Sequence, residues 1–319
     1  MDMKIKLLLF VIDLLAPLTV GYFCRFQSVI KEKVFNKMIL NNILVVYPLL
    51  SFLSFWVLPL SSDLIWLPVM GLLMGILPGI VAYFVAEHKY TCDLDRGSYV
   101  MSASLSNLGT IGGLCVFLLY GETGYAYQQL VVLFQYILMF MFCYPLAQYY
   151  FERAQKGEKI KGISIMSILF SRNQLAVLGI LCGVVLQQLG VARPQSFGGL
   201  VEGLIHFGAW TALIPVGYSI DFAKLKEQYH EIRDIVFIKF IFTPLVIYGI
   251  ARVVIDDEKM LNTILVLACM PTAVNAVITS RIYHLNIHIS VAAFILTTIV
   301  LLLFVYPALF IGLSMGSAW

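Results

Sequence analysis

The chain has 319 residues, of which 61% are apolar and only 12% are charged, about half the charged share of soluble globular domains. A soluble fold of this length has too little interior to bury so much apolar surface, so the composition excludes that class. The formal net charge of +3 gives no indication of a broad basic surface, and no nucleic-acid partner is expected.

The charged residues cluster in short gaps between apolar runs, which is typical of membrane-spanning helices of about 20 residues. In chain order, the first spans are predicted at Leu7–Cys24, Met38–Leu58, Leu64–Val85, Ser98–Leu119 and Tyr125–Tyr150. The later spans are predicted at Leu175–Val191, Leu200–Ile220, Ile235–Ile255, Leu261–Tyr283 and Ile289–Met315. We therefore expect an all-α polytopic protein with about ten transmembrane helices and the lipid bilayer as its surroundings.

A polar stretch at Glu152–Lys161 divides these spans into two halves of five. It belongs to an expected loop over residues 152–173, between a first repeat over 1–151 and a second over 174–319. Fifteen of the 21 lysines and arginines lie in the gaps after the odd-numbered spans. Because positive charge favours the cytoplasmic side, this loop is expected in the cytoplasm and both termini outside the inner membrane.

An odd number of spans in each half gives the second half the opposite orientation, which is an inverted repeat. Similar residue spacings in the two halves agree with an inverted repeat. Asn107 precedes Pro145 of a Tyr-Pro pair by 38 residues, and Pro271 precedes Pro307 of another Tyr-Pro pair by 36. These pairs occupy matching spans of the two halves, so spans four and nine are expected to correspond.

Spans four and nine carry the small and polar residues that point to a binding site. Span four contains Asn107, Gly109, Thr110 and Gly112, and span nine contains Pro271, Thr272 and Asn275. Proline removes a backbone donor and paired glycines loosen a helix, so both spans are predicted to break near the bilayer centre. Broken helices at matching positions of two repeats indicate the binding site of a transporter.

Such breaks would direct backbone N–H groups and positive dipole ends toward a cavity, where they suit an anion such as a carboxylate. The plainer alternative stays open, in which the glycines permit close helix packing and Pro271 makes an ordinary kink.

Several motifs, taken together, resemble the auxin efflux carrier family of membrane transporters. They are Asn107-Leu-Gly109-Thr-Ile-Gly112, Gly121-Glu122-Thr-Gly124-Tyr-Ala126, Arg172-Asn173 through Gly179, Gly183 and Gly190 to Pro194, Pro215-Val-Gly217, Pro271-Thr-Ala-Val-Asn275 and Thr297-Thr298. The resemblance covers nearly the whole chain in the same order. One position departs from it, since Leu114 stands where that family usually has a proline.

The resemblance implies a fold similar to sodium/proton antiporters and sodium/bile-acid symporters, with crossing helices four and nine. Spans one, two, six and seven would form a scaffold, and spans three to five and eight to ten a transport domain that moves as an elevator. It also implies a homodimer and a carrier of a small organic anion such as malate, malonate or an auxin-like carboxylate.

Three further polar residues lie within spans. Gln135 is a candidate substrate ligand. Asp13 and Lys239 are candidates for coupling transport to H⁺ or, less favoured, Na⁺, because intramembrane ionisable groups are functional by default. Lys239 lies close to the cytoplasmic end of span eight, and its ammonium is expected to reach the interface. His206 and Glu202, four residues apart on span seven, are expected near an interface.

Two other classes of protein compete with this interpretation, a sodium-coupled symporter and an enzyme. A sodium-coupled symporter similar to the bile-acid carriers would use oxygens of Ser102, Ser106, Thr272 and Asn275. No catalytic motif or loop of sufficient length for a catalytic domain points to an enzyme. The six cysteines form neither a disulfide framework nor a metal site, and no cofactor is expected.

Overall fold

The computed structural model describes residues 3–27, 32–155, 175–218, 220 and 222–316. Most of the described residues are helical, and none of them belongs to a β-strand. Most of the expected cytoplasmic loop, together with Arg172 and Asn173, lies outside them.

The helices overlap the predicted spans, with two differences: Gly113–Leu133 runs from span four into span five across a kink at Gly121, and Phe222–Phe237 begins well before span eight. Those of the first half are α1 (Met3–Cys24), α2 (Glu32–Asn41), α3 (Tyr47–Phe55), α4 (Trp66–Lys89), α5 (Asp93–Ser104), α6 (Gly113–Leu133), α7 (Gln135–Leu138) and α8 (Tyr144–Ala154). Those of the second half are α9 (Leu175–Gln188), α10 (Ser196–Tyr218), α11 (Phe222–Phe237), α12 (Thr243–Val254), α13 (Glu258–Ala268), α14 (Val274–Ile282), α15 (Ile287–Val300) and α16 (Tyr306–Gly316).

Among the described residues, five helical stretches are long and apolar enough to cross a bilayer. They are Lys33–Phe55, Ser62–Lys89, Ser196–Tyr218, Gln228–Val254 and Ile287–Leu313. Large apolar side chains such as Val253, Leu245 and Phe304 are exposed on them, as lipid contact requires. The chain is therefore an all-α membrane protein, which confirms the predicted class.

Four helical stretches contain a π turn that ends directly before a dipeptide whose second residue is proline. The turns Asn42–Val46, Met139–Cys143, Ile238–Phe242 and Leu301–Val305 precede Tyr47-Pro48, Tyr144-Pro145, Thr243-Pro244 and Tyr306-Pro307. In each case the residue before proline donates its N–H to the carbonyl five positions back. Because a proline ring crowds the carbonyl four residues earlier, the wider turn relieves the clash without ending the helix.

The chain forms two compact units. Unit 1 comprises Met1–Leu64, Gly109–Gln129 and Met166–Ile220, and unit 2 comprises Ile65–Leu108, Leu130–Ile165 and Asp221–Trp319. In unit 1, α1 packs along α10 and α3 along α9. The first pair is so close that a Cβ on Gly21 would collide with the Ile214 carbonyl, and one on Gly217 with that of Leu18.

In unit 2, α5 packs against α4, α8, α14 and α15 around a core that includes Tyr99 and Tyr150. An ionic cluster joins helix ends there. Arg153 at the end of α8 lies 3.1 Å from Glu87 of α4 and 3.0 Å from Asp93 of α5. These ion pairs join the C-terminal ends of α4 and α8 to the N-terminal end of α5.

Candidate functional site

Both helical interruptions predicted for spans four and nine are present. The first half of span four, α5, ends at Ser104, Leu105 is extended (φ −92°, ψ 111°), and a π turn follows at Leu108–Gly112. In span nine, α13 ends at Ala268, and α14 begins after Ala273, which is also extended (φ −80°, ψ 153°). Pro271 lies between these helices and has no N–H to continue α13.

The two extended segments pair with each other within unit 2. Ser106 and Thr272 form an antiparallel bridge. On either side, the Asn107 N–H donates to the Pro271 carbonyl and the Ala273 N–H to the Leu105 carbonyl, each at 2.8 Å. Backbone groups released from the helices therefore satisfy one another, which buried irregular backbone at membrane depth requires. We call these paired segments, 105–107 and 271–273, the crossing.

Side chains hold the crossing in place. The Gln135 amide Nε2 donates to the Ser106 carbonyl at 3.0 Å, and the Thr272 hydroxyl donates to the Ser102 carbonyl at 2.8 Å. The Thr272 N–H donates to Oγ1 of Thr297 at 3.0 Å. Gln135 thus supports the backbone of the crossing, a contact that its position in span five alone did not specify.

Lys239 also lies against the crossing. Its side chain is fully buried, and Nζ donates to the Ser106 hydroxyl at 2.8 Å. The prediction that this ammonium reaches the membrane interface is therefore wrong, because the side chain is directed into the interior of unit 2. Among the described residues, no carboxylate forms an ion pair with Lys239.

The N-terminus of α14 directly follows segment 271–273 of the crossing and carries a partial positive charge. The residue preceding it, Ala273, is buried and provides no side-chain cap. Asn275, in the first turn, is half-buried, and its Nδ2 lies 3.7 Å from Sδ of Met139. Since a helix N-terminus carries unpaired N–H groups and a positive dipole end, this place suits a negative ligand group.

The remaining predicted ligands, Gly109, Thr110 and Gly112, belong to unit 1 and to the π turn before α6. Gly109 and Thr110 line a void of about 10 Å³, roughly enough for one water molecule, together with Tyr47 and Tyr125. A Cβ added to Gly109 would meet open space, so this glycine is not required by packing.

Asp13 lies in a separate arrangement within unit 1. It is buried on α1, and its two carboxylate oxygens face Nδ1 of His206 at 2.6 Å and Nε1 of Trp210 at 2.8 Å. Both donors come from α10. His206 is therefore hydrogen-bonded to an acid of another helix, a partner that its spacing of four residues from Glu202 did not reveal.

Two supporting residues were not predicted. Ser106 was considered as a sodium ligand and Thr297 as part of a family motif, but neither was expected to stabilise the crossing. The sequence signal that could have identified such residues is a hydroxyl side chain among apolar neighbours in the middle of a span, as at Ser102 and Thr297.

No known family model matches the chain, and a search of curated proteins finds no similar sequence.

Proposed function

We propose that this protein is a secondary active transporter of a small organic anion and that the anion binds at the crossing. The observation that carries the proposal is the pair of interrupted helical stretches in unit 2, whose extended segments hydrogen-bond to each other beside a buried lysine. Interrupted helices at membrane depth are costly, and they are typical of carriers that bind solutes there.

The sign of the ligand follows from the charges at the crossing. Lys239 brings a basic group with no carboxylate paired to it among the described residues, and the α14 N-terminus brings unpaired N–H groups. Both favour a carboxylate over a cation or a neutral solute. The proposed ligands at the crossing are the sequence-predicted residues that lie in unit 2: Asn107, Gln135, Pro271, Thr272 and Asn275.

The finer architecture is part of the same proposal: ten spans in two inverted repeats of five. Matching π turns before Tyr144-Pro145 and Tyr306-Pro307 support the repeat, as do the matching breaks after Ser104 and Ala268. The charge distribution supports a cytoplasmic central loop and outward termini in the inner membrane.

The resemblance to auxin efflux carriers leads us to propose an elevator-type carrier and a homodimer, with malate, malonate or auxin-like acids as substrates. In that scheme spans one, two, six and seven remain fixed, while spans three to five and eight to ten move. The composition of unit 1, which contains α1, α3, α9 and α10, supports this assignment, although Gly109–Gln129 also belongs to it. A proton is the proposed coupling ion, and Asp13 and Lys239 are its proposed carriers; Asp13 is hydrogen-bonded to His206.

Uptake of radiolabelled malate, malonate and indole acetate into proteoliposomes tests the function. We expect wild type to accumulate at least one of them and Asn107→Ala and Pro271→Ala to lower its uptake, with unchanged insertion. Asn262→Ala and Pro59→Ala are matched controls outside the crossing. Unchanged uptake in both site variants would reject the site, and chemical conversion of the added acid would indicate an enzyme instead.

A further inference from the structure

An apolar groove of about 290 Å³ runs along α4 within unit 2. Its lining residues on α4 recur at each helical turn and share one face: Gly75, Ile76, Gly79, Ile80, Tyr83 and Phe84. The facing wall comes from the end of α5 and from the stretch that contains the π turn Met139–Cys143. The groove is therefore bounded by three helical stretches of the same unit.

Two glycines form the floor of the groove, because they allow the neighbouring helices to approach α4. A Cβ on Gly79 would collide with Oγ of Ser104, the last residue of α5, and one on Gly75 would collide with the Leu138 side chain. Ser104 and Met101 line the groove and are buried. The inner part of the groove thus lies against the last turn of α5, directly before segment 105–107 of the crossing.

The rim of the groove is apolar and exposed. Ile80, Phe84 and Phe142 line it, and about half or more of each side chain is accessible. Ile80 and Phe84 belong to the stretch Ser62–Lys89, which is long and apolar enough to cross a bilayer. In a membrane this rim contacts hydrocarbon, so the molecules that reach the groove are lipid acyl chains.

The length of the groove corresponds to one leaflet of a bilayer. From Gly75 to Phe84, α4 advances by about 14 Å at 1.5 Å per residue. Half of a hydrocarbon core of about 30 Å is roughly 15 Å. A single acyl chain of the leaflet at the C-terminal end of α4 therefore fits along this face.

Polar groups that suit a lipid headgroup follow at that end of α4. His88 and Lys89, about one turn beyond Phe84, line a depression that shares Phe84 with the groove. Nζ of Lys89 donates to Oδ1 of Asp234 and to the Glu231 carbonyl, each at 2.8 Å. An ammonium has three N–H groups, so the third is left for a phosphate oxygen.

His88 supplies the complementary acceptor. Its Nδ1 lies 2.8 Å from the Phe84 carbonyl, and because a carbonyl can only accept, Nδ1 carries the hydrogen. In the neutral imidazole Nε2 is then an acceptor, which suits the N–H groups of an ethanolamine ammonium. A phosphatidylethanolamine headgroup has both the phosphate for Lys89 and the ammonium for His88.

We propose that this groove is a phospholipid site, in which one acyl chain of phosphatidylethanolamine lies along α4 and the headgroup binds at His88 and Lys89. The acyl chain fills the space beside the last turn of α5 and so supports the interrupted helix where the crossing begins. This inference concerns a resident lipid and does not depend on the solute that the protein transports.

Photolabelling of the purified full-length protein in detergent tests the site. The probe is phosphatidylethanolamine with a diazirine near the methyl end of one acyl chain, and the labelled peptides are identified by mass spectrometry. We expect label in residues 101–104 and 138–146. Excess unlabelled phosphatidylethanolamine should reduce this labelling, and phosphatidylcholine, whose ammonium has no N–H, should reduce it less.

Variants that fill the groove provide the second arm. Ile76→Trp fills it from α4 and Leu146→Trp from the facing wall, so a folding failure of one leaves the other. Each should lower the labelling about tenfold, which corresponds to about 1.4 kcal/mol of binding free energy. Leu245→Trp, at an exposed apolar position of α12, is the matched control and should label like wild type.

Several results would overturn the proposal. Equal labelling of the filled variants and the control, or labelling that unlabelled phosphatidylethanolamine does not reduce, would indicate unspecific contact with lipid. Displacement of the label by malate or indole acetate would assign the groove to a substrate, and no label in these segments would indicate that another part of the protein or a second copy covers them. Equal competition by phosphatidylcholine would contradict the headgroup contacts. Absence of carboxylate uptake would count against the proposed function alone.

Discussion

Asp13 in unit 1 and Lys239 in unit 2 are both buried ionisable residues of membrane-spanning helices, yet their surroundings differ. Asp13 receives hydrogen bonds on both oxygens, and one of the two donors, His206, is able to carry the opposite charge. Lys239 donates from Nζ to the Ser106 hydroxyl and pairs with no acid among the described residues. A buried acid that accepts from donors of a second helix joins the two helices, whereas a buried amine without an acid partner is available to a negative ligand group. The two sites should therefore respond to different experiments.

The largest expected effect is on stability at Asp13. Asp13→Ala would leave the His206 and Trp210 donors without an acceptor and lower the free energy of unfolding by about 2 to 4 kcal/mol. Asp13→Asn, which still accepts from Trp210, should cost roughly half as much. Chemical unfolding of the purified variants measures both, with exposed Asp256→Ala as the control. A wild-type stability for Asp13→Ala would show that the pair is not structural.

A smaller effect, on function rather than stability, is expected at Lys239. Lys239→Met keeps the length of the side chain and removes its charge, so the apparent affinity for a transported carboxylate should fall about tenfold or more, equivalent to about 1.4 kcal/mol. Its stability should stay close to wild type, since a buried uncompensated charge is removed. Transport kinetics of this variant and of Lys259→Met test the difference. Equal affinity in the two variants would place the anion away from Lys239.

The smallest expected effect is a difference in the free energy of unfolding between variants of two adjacent threonines of α15. Thr297→Val would leave the buried Thr272 N–H unpaired and lower the free energy of unfolding by about 1 kcal/mol. The neighbouring Thr298 hydroxyl is buried without a hydrogen-bond partner in the described residues, so Thr298→Val should be neutral or stabilising. Equal stability losses in the two variants would indicate that the crossing does not depend on Thr297.

Sequence reasoning located the elements of the fold because membrane helices are governed by apolar length and by breakers. Pro271 and the glycines of span four marked both interruptions, and the helix ends fall within a few residues of most predicted spans. The partners of single polar side chains were not predictable in this way. Lys239 and Ser106 are 133 positions apart, and Asp13 and His206 are 193 apart. Which way a side chain points into its unit depends on packing that no local pattern encodes.

The crossing itself was predicted only as two breaks. That Ser106 and Thr272 would form an antiparallel bridge follows from backbone groups that must find partners in a dry environment, and several registers would have met that need. The observed register places Gln135 and Lys239 on the same serine, one on its carbonyl and one on its hydroxyl.

Hydrogen exchange of the backbone amides, with and without a transported carboxylate, tests most directly whether an anion binds at the crossing. We predict slower exchange in residues 105–108 and 271–276 at saturating carboxylate and unchanged exchange in α1 and α10, where Asp13 and His206 pair. Protection confined to other segments, or none in a protein that transports the acid, would contradict the account.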